Sequence, residues 1–109
     1  MQRTALVTGL FVAGLWLVTS TGTVFAGAAE GKKVFEEKKC INCHSLGEQK
    51  GPMAKMGGAL DGVGGKRDAA WLKAYLTDPK SKIDKAKMPK PKVTEQELDA
   101  LVDYMSSLK

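Results

Sequence analysis

The most regular hydrophobic pattern in the sequence lies at its carboxyl end. Thr94 and Glu97 have the spacing of a capping box, and apolar residues follow them at helical intervals. These residues are Leu98, Leu101, Val102, Met105 and Leu108. The pattern predicts a carboxyl-terminal helix with one buried face, and it assigns Met105 to that face.

Two shorter segments also have helical patterns. Residues 30–40 are mostly good helix formers, with Val34 and Phe35 at the apolar positions. Asp68 is a suitable N-cap for a second segment, which ends before the Asp-Pro pair at 78–79. Its apolar residues share one helix face: Trp71, Leu72, Tyr75 and Leu76. We therefore predict one helix near the start of the domain and a second in its middle.

The segments between these helices are rich in glycine and proline. Residues 45–67 contain seven glycines and Pro52, which disfavours regular structure. Residues 79–92 contain three prolines and six lysines, and Met88 lies among them. A loop as long as 45–67 is unusual in a small domain unless it wraps around something. A bound cofactor would supply the missing packing surface.

The amino-terminal residues have the layout of a secretory signal. A short basic start leads into an apolar stretch from Ala5 to Val18, and Ala26 ends a motif that a signal peptidase reads. We predict a cleavable signal over residues 1–26 and a domain over residues 27–109, with cleavage after Ala29 as an alternative. A retained anchor is the competing interpretation, but a spanning helix needs about 20 apolar residues. The expected location is the periplasm, without stable membrane insertion.

The composition narrows the range of partners. The 109-residue chain has 17 basic and 12 acidic residues and a formal net charge of +5, and it stays positive without residues 1–26, whose only charge is Arg3. This balance suits a solvated surface or steering towards an acidic docking face of a redox protein. Nucleic-acid binding is not expected, because the chain has only two arginines and no interleaving of aromatic and basic residues.

Both cysteines and the only histidine fall in one five-residue window. Cys40, Cys43 and His44 form the CxxCH pattern of c-type haem attachment. Two thiols three residues apart on a helical turn can reach the vinyl groups on one side of a porphyrin, and the next residue places an imidazole under the iron. We therefore predict one haem c, covalently bound through both cysteines, with His44 as an iron ligand.

Three other uses of these residues are disfavoured. A disulfide between the two cysteines would not need His44. A thioredoxin-like redox pair lies on a βαβ scaffold, and the sequence has no β-rich alternating run. A structural zinc site needs four Cys or His ligands, and the chain supplies three.

The second axial position of the iron is open to a methionine, because no second histidine exists. Met1 falls in the signal and Met105 in the helix face. The remaining candidates are Met53, Met56 and Met88. Met88 is far enough along the chain to reach the opposite haem face, and Pro89 stiffens its loop. Met88 is thus the predicted ligand, and an open distal site is the alternative.

With these residues, the predicted domain resembles the class I monohaem cytochromes c of bacteria. Gly31 and Phe35 resemble the glycine and the aromatic residue of that family's first helix. Leu101 and Tyr104 resemble their partners in its last helix, and the resemblance implies that the two helices cross. The implied fold is all-α, a small globule of about three to five short helices wrapped round one covalent haem.

The resemblance also implies roles for residues around the haem. Pro52 follows Gly51, as in the family's Gly-Pro, and its carbonyl would accept a hydrogen bond from His44. Arg67 and Trp71 are candidates for contacts to the haem propionates. The indole and phenol groups of Trp71 and Tyr75 also have donors that suit such contacts.

These features lead to an expected function. A haem with both axial positions filled suits single-electron transfer, so we expect a monomeric periplasmic electron carrier that is not an enzyme. One alternative is a haem-bearing subunit of a periplasmic oxidoreductase complex. Another is an open-site haem protein with peroxidase-like or gas-binding activity, although the sequence offers no clear distal acid–base group.

Overall fold

The computed structural model describes residues 9, 13–14 and 27–109. The signal predicted over residues 1–26 therefore lies outside the described residues, apart from three isolated positions. Among the described residues, no helix has both the length and the apolar character needed to cross a membrane.

The described part of the chain is mostly helical, as predicted. Its helices are α1 (Ala28–Glu37), α2 (Ala54–Gly57), α3 (Val63–Lys66), α4 (Ala69–Thr77), α5 (Pro79–Lys82) and α6 (Glu95–Ser107). A 3₁₀ turn over Cys40–Asn42 and a short antiparallel hairpin, Ser45–Leu46 with Gln49–Lys50, lie between α1 and α2. The three longer helices are the ones that the hydrophobic pattern predicts. The glycine-rich segment, expected to lack regular structure, contains the hairpin and two one-turn helices.

Helix α6 begins at the predicted capping box. The hydroxyl of Thr94 accepts a hydrogen bond from the backbone N–H of Glu97 at 3.1 Å, and the Glu97 carboxylate accepts one from the backbone N–H of Thr94 at 3.0 Å. These bonds satisfy two donors that a helix start otherwise leaves free. The helix then buries its apolar face, including Met105, in the core.

Helices α1 and α6 cross with their backbones in contact. A Cβ atom at Gly31 would overlap the carbonyl of Ala100, so only glycine fits at the crossing. Beside it, the rings of Phe35 and Tyr104 meet edge to face with centroids 5.6 Å apart. The crossing that the resemblance implied is therefore present, and it holds the two ends of the domain together.

Helices α3 and α4 complete the frame around the core. The backbone N–H of Gly64 in α3 donates to the carbonyl of Leu108 at 2.7 Å, which ties α3 to the end of α6. Helix α4 buries Leu72 and Leu76 against the core. On the outer side of α4, the Lys73 ammonium lies 2.8 Å from Asp99 of α6. The frame leaves a cleft between α4, α6 and the cysteine-containing turn.

Candidate functional site

The cysteine-containing turn is created where α1 stops. Lys39 has a φ of +56°, which is the only positive φ at a non-glycine residue in the part of the chain that the structure describes. This left-handed residue breaks the helix and starts the 3₁₀ turn. The backbone N–H groups of Cys43 and His44 then both donate to the carbonyl of Cys40, at 3.2 and 3.1 Å. The turn thus fixes both cysteines and the histidine in one compact unit.

The two cysteines are half-buried and not joined by a disulfide. Burial is the main cause that raises the pKa of the Cys40 thiol above its ordinary value. At neutral pH this thiol is therefore protonated, with its side chain on the wall of the cleft.

The cleft beside this turn has a volume of about 240 Å³ and is mainly apolar. Predicted site residues from distant parts of the sequence meet on its walls: Cys40, His44, Arg67, Trp71, Tyr75 and Met88. Buried side chains of the core, including Phe35, Leu72 and Leu101, form its floor. Pro52 does not line the cleft and is exposed.

The orientation of His44 is set by a backbone carbonyl. Nδ1 of His44 lies 3.2 Å from the carbonyl oxygen of Gly58. A carbonyl oxygen can only accept, so Nδ1 of His44 donates in this bond and Nε2 takes no part in it. The resemblance implied the Pro52 carbonyl as the acceptor, and the structure instead has Gly58 in that place.

The physical reason for this correction is the close approach of the glycine pair to the imidazole. A Cβ atom at Gly57 would lie 2.6 Å from both Cε1 and Nδ1 of His44, so a side chain has no room there. Gly58 then adopts a φ of +74°, a conformation that glycine reaches without strain. Gly51, next to Pro52, packs instead against the backbone of Ile41 and Asn42.

A column of stacked side chains forms one wall of the cleft. The guanidinium carbon of Arg67 lies 4.2 Å from the centroid of the Trp71 ring, within the range of a cation–π contact. The Trp71 and Tyr75 rings stack with centroids 5.1 Å apart and only 7° between their planes. Asp68 fixes the base of this column, because its carboxylate accepts from the backbone N–H of Trp71 at 2.7 Å. The column presents a cation and two aromatic polar groups at the edge of an apolar cleft.

The three candidate methionines differ in their surroundings. Met88 is half-buried and lines the cleft that His44 also lines. Met53 and Met56 are exposed to 49% and 65%, and neither lines the cleft. Met105, which sequence patterning placed in the core, is buried there and also reaches the cleft.

These residues fit a haem with two carboxylate groups. An apolar cleft suits the body of a porphyrin, Cys40 offers a thiol on its wall with Cys43 at the end of the same turn, and Arg67 offers a cation at the rim. The imidazole and the thioether are both donors of the kinds that bind haem iron.

Sequence reasoning missed several residues that shape the site. Gly57, Leu60, Val63 and Ile83 all line the cleft, and none of them stands out in the sequence as a site residue. The available signal was the Gly-Gly pair at 57–58, since adjacent glycines often mark a close approach between backbone and another group. The glycine content of this segment predicts only a loop that wraps around a cofactor.

Comparisons with known proteins give a family match and several relatives. Residues 28–109 match the family model described as Cytochrome c. Cytochrome c-550 of Bradyrhizobium diazoefficiens is 35% identical over 81 residues, which cover 56% of this chain and 57% of that protein. No solved structure gives a significant match.

Two further relatives are named as parts of larger proteins. Cytochrome c oxidase subunit 2 of Alkalihalophilus pseudofirmus is 34% identical over 88 residues, which cover 75% of this chain and 26% of that subunit. A nitric oxide reductase subunit of Halomonas halodenitrificans is 27% identical over 103 residues, covering 83% of this chain and 67% of that protein. The chain thus spans about a quarter of the oxidase subunit.

Proposed function

Given that the chain belongs to the cytochrome c family, as the match over residues 28–109 shows, we propose that it is a periplasmic single-electron carrier with His44 and Met88 as axial ligands. Membership of this family implies a covalent haem c, and Cys40 and Cys43 have the spacing for its attachment. When bound, haem c supplies an iron that takes up and releases single electrons.

The observation that carries this proposal is the meeting of Cys40, His44 and Met88 on one apolar cleft. The hydrogen bond from Nδ1 to the Gly58 carbonyl supports a ligand role for His44, because it engages Nδ1, leaves Nε2 as the nitrogen for the iron and holds the ring in one orientation. The 3₁₀ turn places the two cysteines immediately before that histidine in one hydrogen-bonded unit. His44 would bind the iron from one side, and the two cysteines would hold the porphyrin.

Met88 is proposed for the other side. Its half-buried position in the cleft supports this role, whereas Met53 and Met56 are exposed outside it. A thioether ligand favours the ferrous over the ferric state, and the apolar walls oppose the extra charge of the ferric state. We therefore expect a moderately positive reduction potential. Filled axial positions leave no place for a substrate, which supports electron transfer and not an enzymatic activity.

The stacked column is proposed to bind the haem propionates. Arg67 offers a guanidinium, which pairs well with carboxylates, at the edge of the cleft. The Trp71 indole N–H and the Tyr75 hydroxyl are further donors on the same wall. Stacking limits the rotamers of all three side chains, so little further ordering would be needed on binding.

Residues 1–26 are proposed to act as a cleaved signal, with residues 27–109 as a monomeric cytochrome c domain in the periplasm. The proposed partners are other redox proteins. The lysines of residues 80–92 support docking to acidic faces of such partners.

A second candidate function is a haem-bearing subunit of an oxidoreductase complex. The relatives named as subunits of cytochrome c oxidase and of nitric oxide reductase favour it. Because the local chemistry is the same, the native mass of the purified protein by size-exclusion chromatography separates a free carrier from a member of a complex.

An absorption spectrum of the exported protein, with its Met88→Ala and Met56→Ala variants, tests the ligation. We expect sharp ferrous c-haem bands in the natural protein and in Met56→Ala. The weak far-red ferric band of a methionine–iron bond should be lost only in Met88→Ala, because Met56 is exposed outside the cleft. A high-spin spectrum of the unmodified protein would contradict His-Met ligation and favour the open-site alternative. A colourless exported protein would contradict the whole proposal.

A further inference from the structure

The start of α1 is held by a carboxylate from the other end of the domain. The backbone nitrogen of Gly27, immediately before α1, donates to Oδ2 of Asp103 in α6 at 3.1 Å, in a partly buried position. Among residues 27–109, no lysine, arginine or histidine side chain forms a salt bridge with Asp103. A carboxylate thus faces a backbone nitrogen and lacks a cationic side-chain partner in the described part of the chain.

Gly27 fits against α6 without room for a side chain. A Cβ atom there would lie 2.8 Å from Oδ2 of Asp103 and 3.0 Å from Cα of Ala100. The carbonyl of Gly27 also accepts the first bond of the helix, from the N–H of Gly31 at 2.7 Å. The position of the Gly27 nitrogen is therefore fixed from both sides.

We propose that export processing cuts the chain after Ala26, and that the new amino terminus at Gly27 forms an ion pair with Asp103. This inference rests on the proposed export of the protein. In the cut, water adds across the amide bond between Ala26 and Gly27. The carbonyl carbon of Ala26 gains the oxygen and leaves as a carboxylate, and the Gly27 nitrogen becomes an amine that is protonated to an ammonium.

The ion pair removes an electrostatic problem that cleavage creates. A positive charge at the amino end of a helix is unfavourable, because the exposed N–H groups there are already positive. Asp103 from α6 and Glu30 in the first turn of α1 are the acidic groups that oppose this charge. A hydrogen bond between two charged groups is also roughly twice as strong as one between neutral groups.

The same geometry disfavours the alternative cut after Ala29. That cut would remove Gly27 together with the first two residues of α1, and with them the bonds to Asp103 and Gly31. The carboxylate of Asp103 would then face no donor at the helix start. A cut after Ala26 therefore keeps both contacts of Gly27, and a cut after Ala29 removes them.

The first test is the mass of the exported, haem-containing protein. We expect a polypeptide of residues 27–109 with one haem attached. A chain that starts at Glu30, or that keeps residues 1–26, would overturn the inference. The absorption spectrum of the same sample reports the proposed function independently, since a cytochrome spectrum with a start at Glu30 refutes only the inference.

The second test measures thermal unfolding of Asp103→Asn at low and high salt. At about 10 mM salt the Debye length is about 30 Å, and at about 1 M it is about 3 Å. We expect the midpoint to fall by roughly 4–8 °C at low salt, the shift for a loss of about 1 kcal/mol in a domain of this size, and by much less at high salt. Glu48→Gln, which removes the same charge at the hairpin tip, should change the midpoint little under either condition. Equal effects of the two substitutions at low salt would refute the ion pair.

An inserted residue separates the ion pair from a plain hydrogen bond. One alanine placed between Ala26 and Gly27 preserves the peptidase motif, restores an amide nitrogen at Gly27 and moves the ammonium one residue away. In this background we expect Asp103→Asn to lose most of its salt-dependent effect. The same salt-dependent effect with and without the insertion would show that the amide bond alone accounts for the contact, and would refute the role of the amino terminus.

Discussion

Gly57→Ala should disturb His44 while leaving every predicted iron ligand unsubstituted. The new Cβ would lie 2.6 Å from Cε1 and Nδ1 of His44 and would overlap the carbonyl of Cys43. Ordinary carbon contacts are about 3.5–4.0 Å, so one group must move by about 1 Å. Such overpacking typically costs about 1–3 kcal/mol, and the better helix propensity of alanine returns less than about 1 kcal/mol of that.

Gly65→Ala is the matched control, because Gly65 is also in a one-turn helix, has nothing within 4 Å of its Cβ position and does not have a positive φ. The assay is thermal unfolding of the exported haem protein, combined with its ferric far-red spectrum. We expect a lower midpoint and a shifted or weakened far-red band for Gly57→Ala, with neither change for Gly65→Ala. Equal midpoints and equal spectra for the two variants would refute the reasoning that Gly57 sets the position of His44.

Three further predictions concern charges. The backbone N–H of Thr94 lowers the pKa of Glu97, so the stabilisation from this carboxylate is present above its unfolded-state pKa and is lost as pH falls through the lowered folded-state pKa. The difference in thermal midpoint between the natural protein and Glu97→Gln should therefore disappear in acid. A difference that persists at about pH 2 would contradict this. Arg67→Leu should keep covalent haem but change the pH dependence of the reduction potential, because a propionate loses its cation; an unchanged profile would contradict propionate binding. Reversing the charges of Lys85, Lys87 and Lys90 should slow electron transfer to an acidic partner at low salt and have little effect at high salt; equal rates at low salt would contradict steering.

The helices could be predicted from the sequence because the signals that specify them are local. The capping box at Thr94 and Glu97 and the apolar face after it specify α6 with residues close together in the chain. Asp68 does the same for α4, where its carboxylate caps the helix as predicted. These elements would keep their patterns in almost any tertiary context.

The hydrogen-bond partner of His44 could not be predicted from the sequence in the same way. A backbone carbonyl has no sequence signature, and whether Pro52 or Gly58 reaches the imidazole depends on the path of the chain between them. The structure resolves this path into a hairpin and a one-turn helix that bring Gly58 back to the histidine. The choice among the three methionines had a signal, since Pro89 follows Met88, but the exposure of Met53 and Met56 became visible only in the folded chain.

The use of a main-chain oxygen to orient His44 also determines which mutations this site can tolerate. Every amino acid carries a carbonyl, so no codon change at position 58 removes the acceptor itself. The constraint at position 58 is its φ of +74°, which asparagine tolerates better than other non-glycine residues. At position 57 every change adds atoms against the imidazole. A saturation library scored for haem-dependent growth should therefore recover a few substitutions at 58 and none at 57, so that the residue making the bond varies more freely than its neighbour.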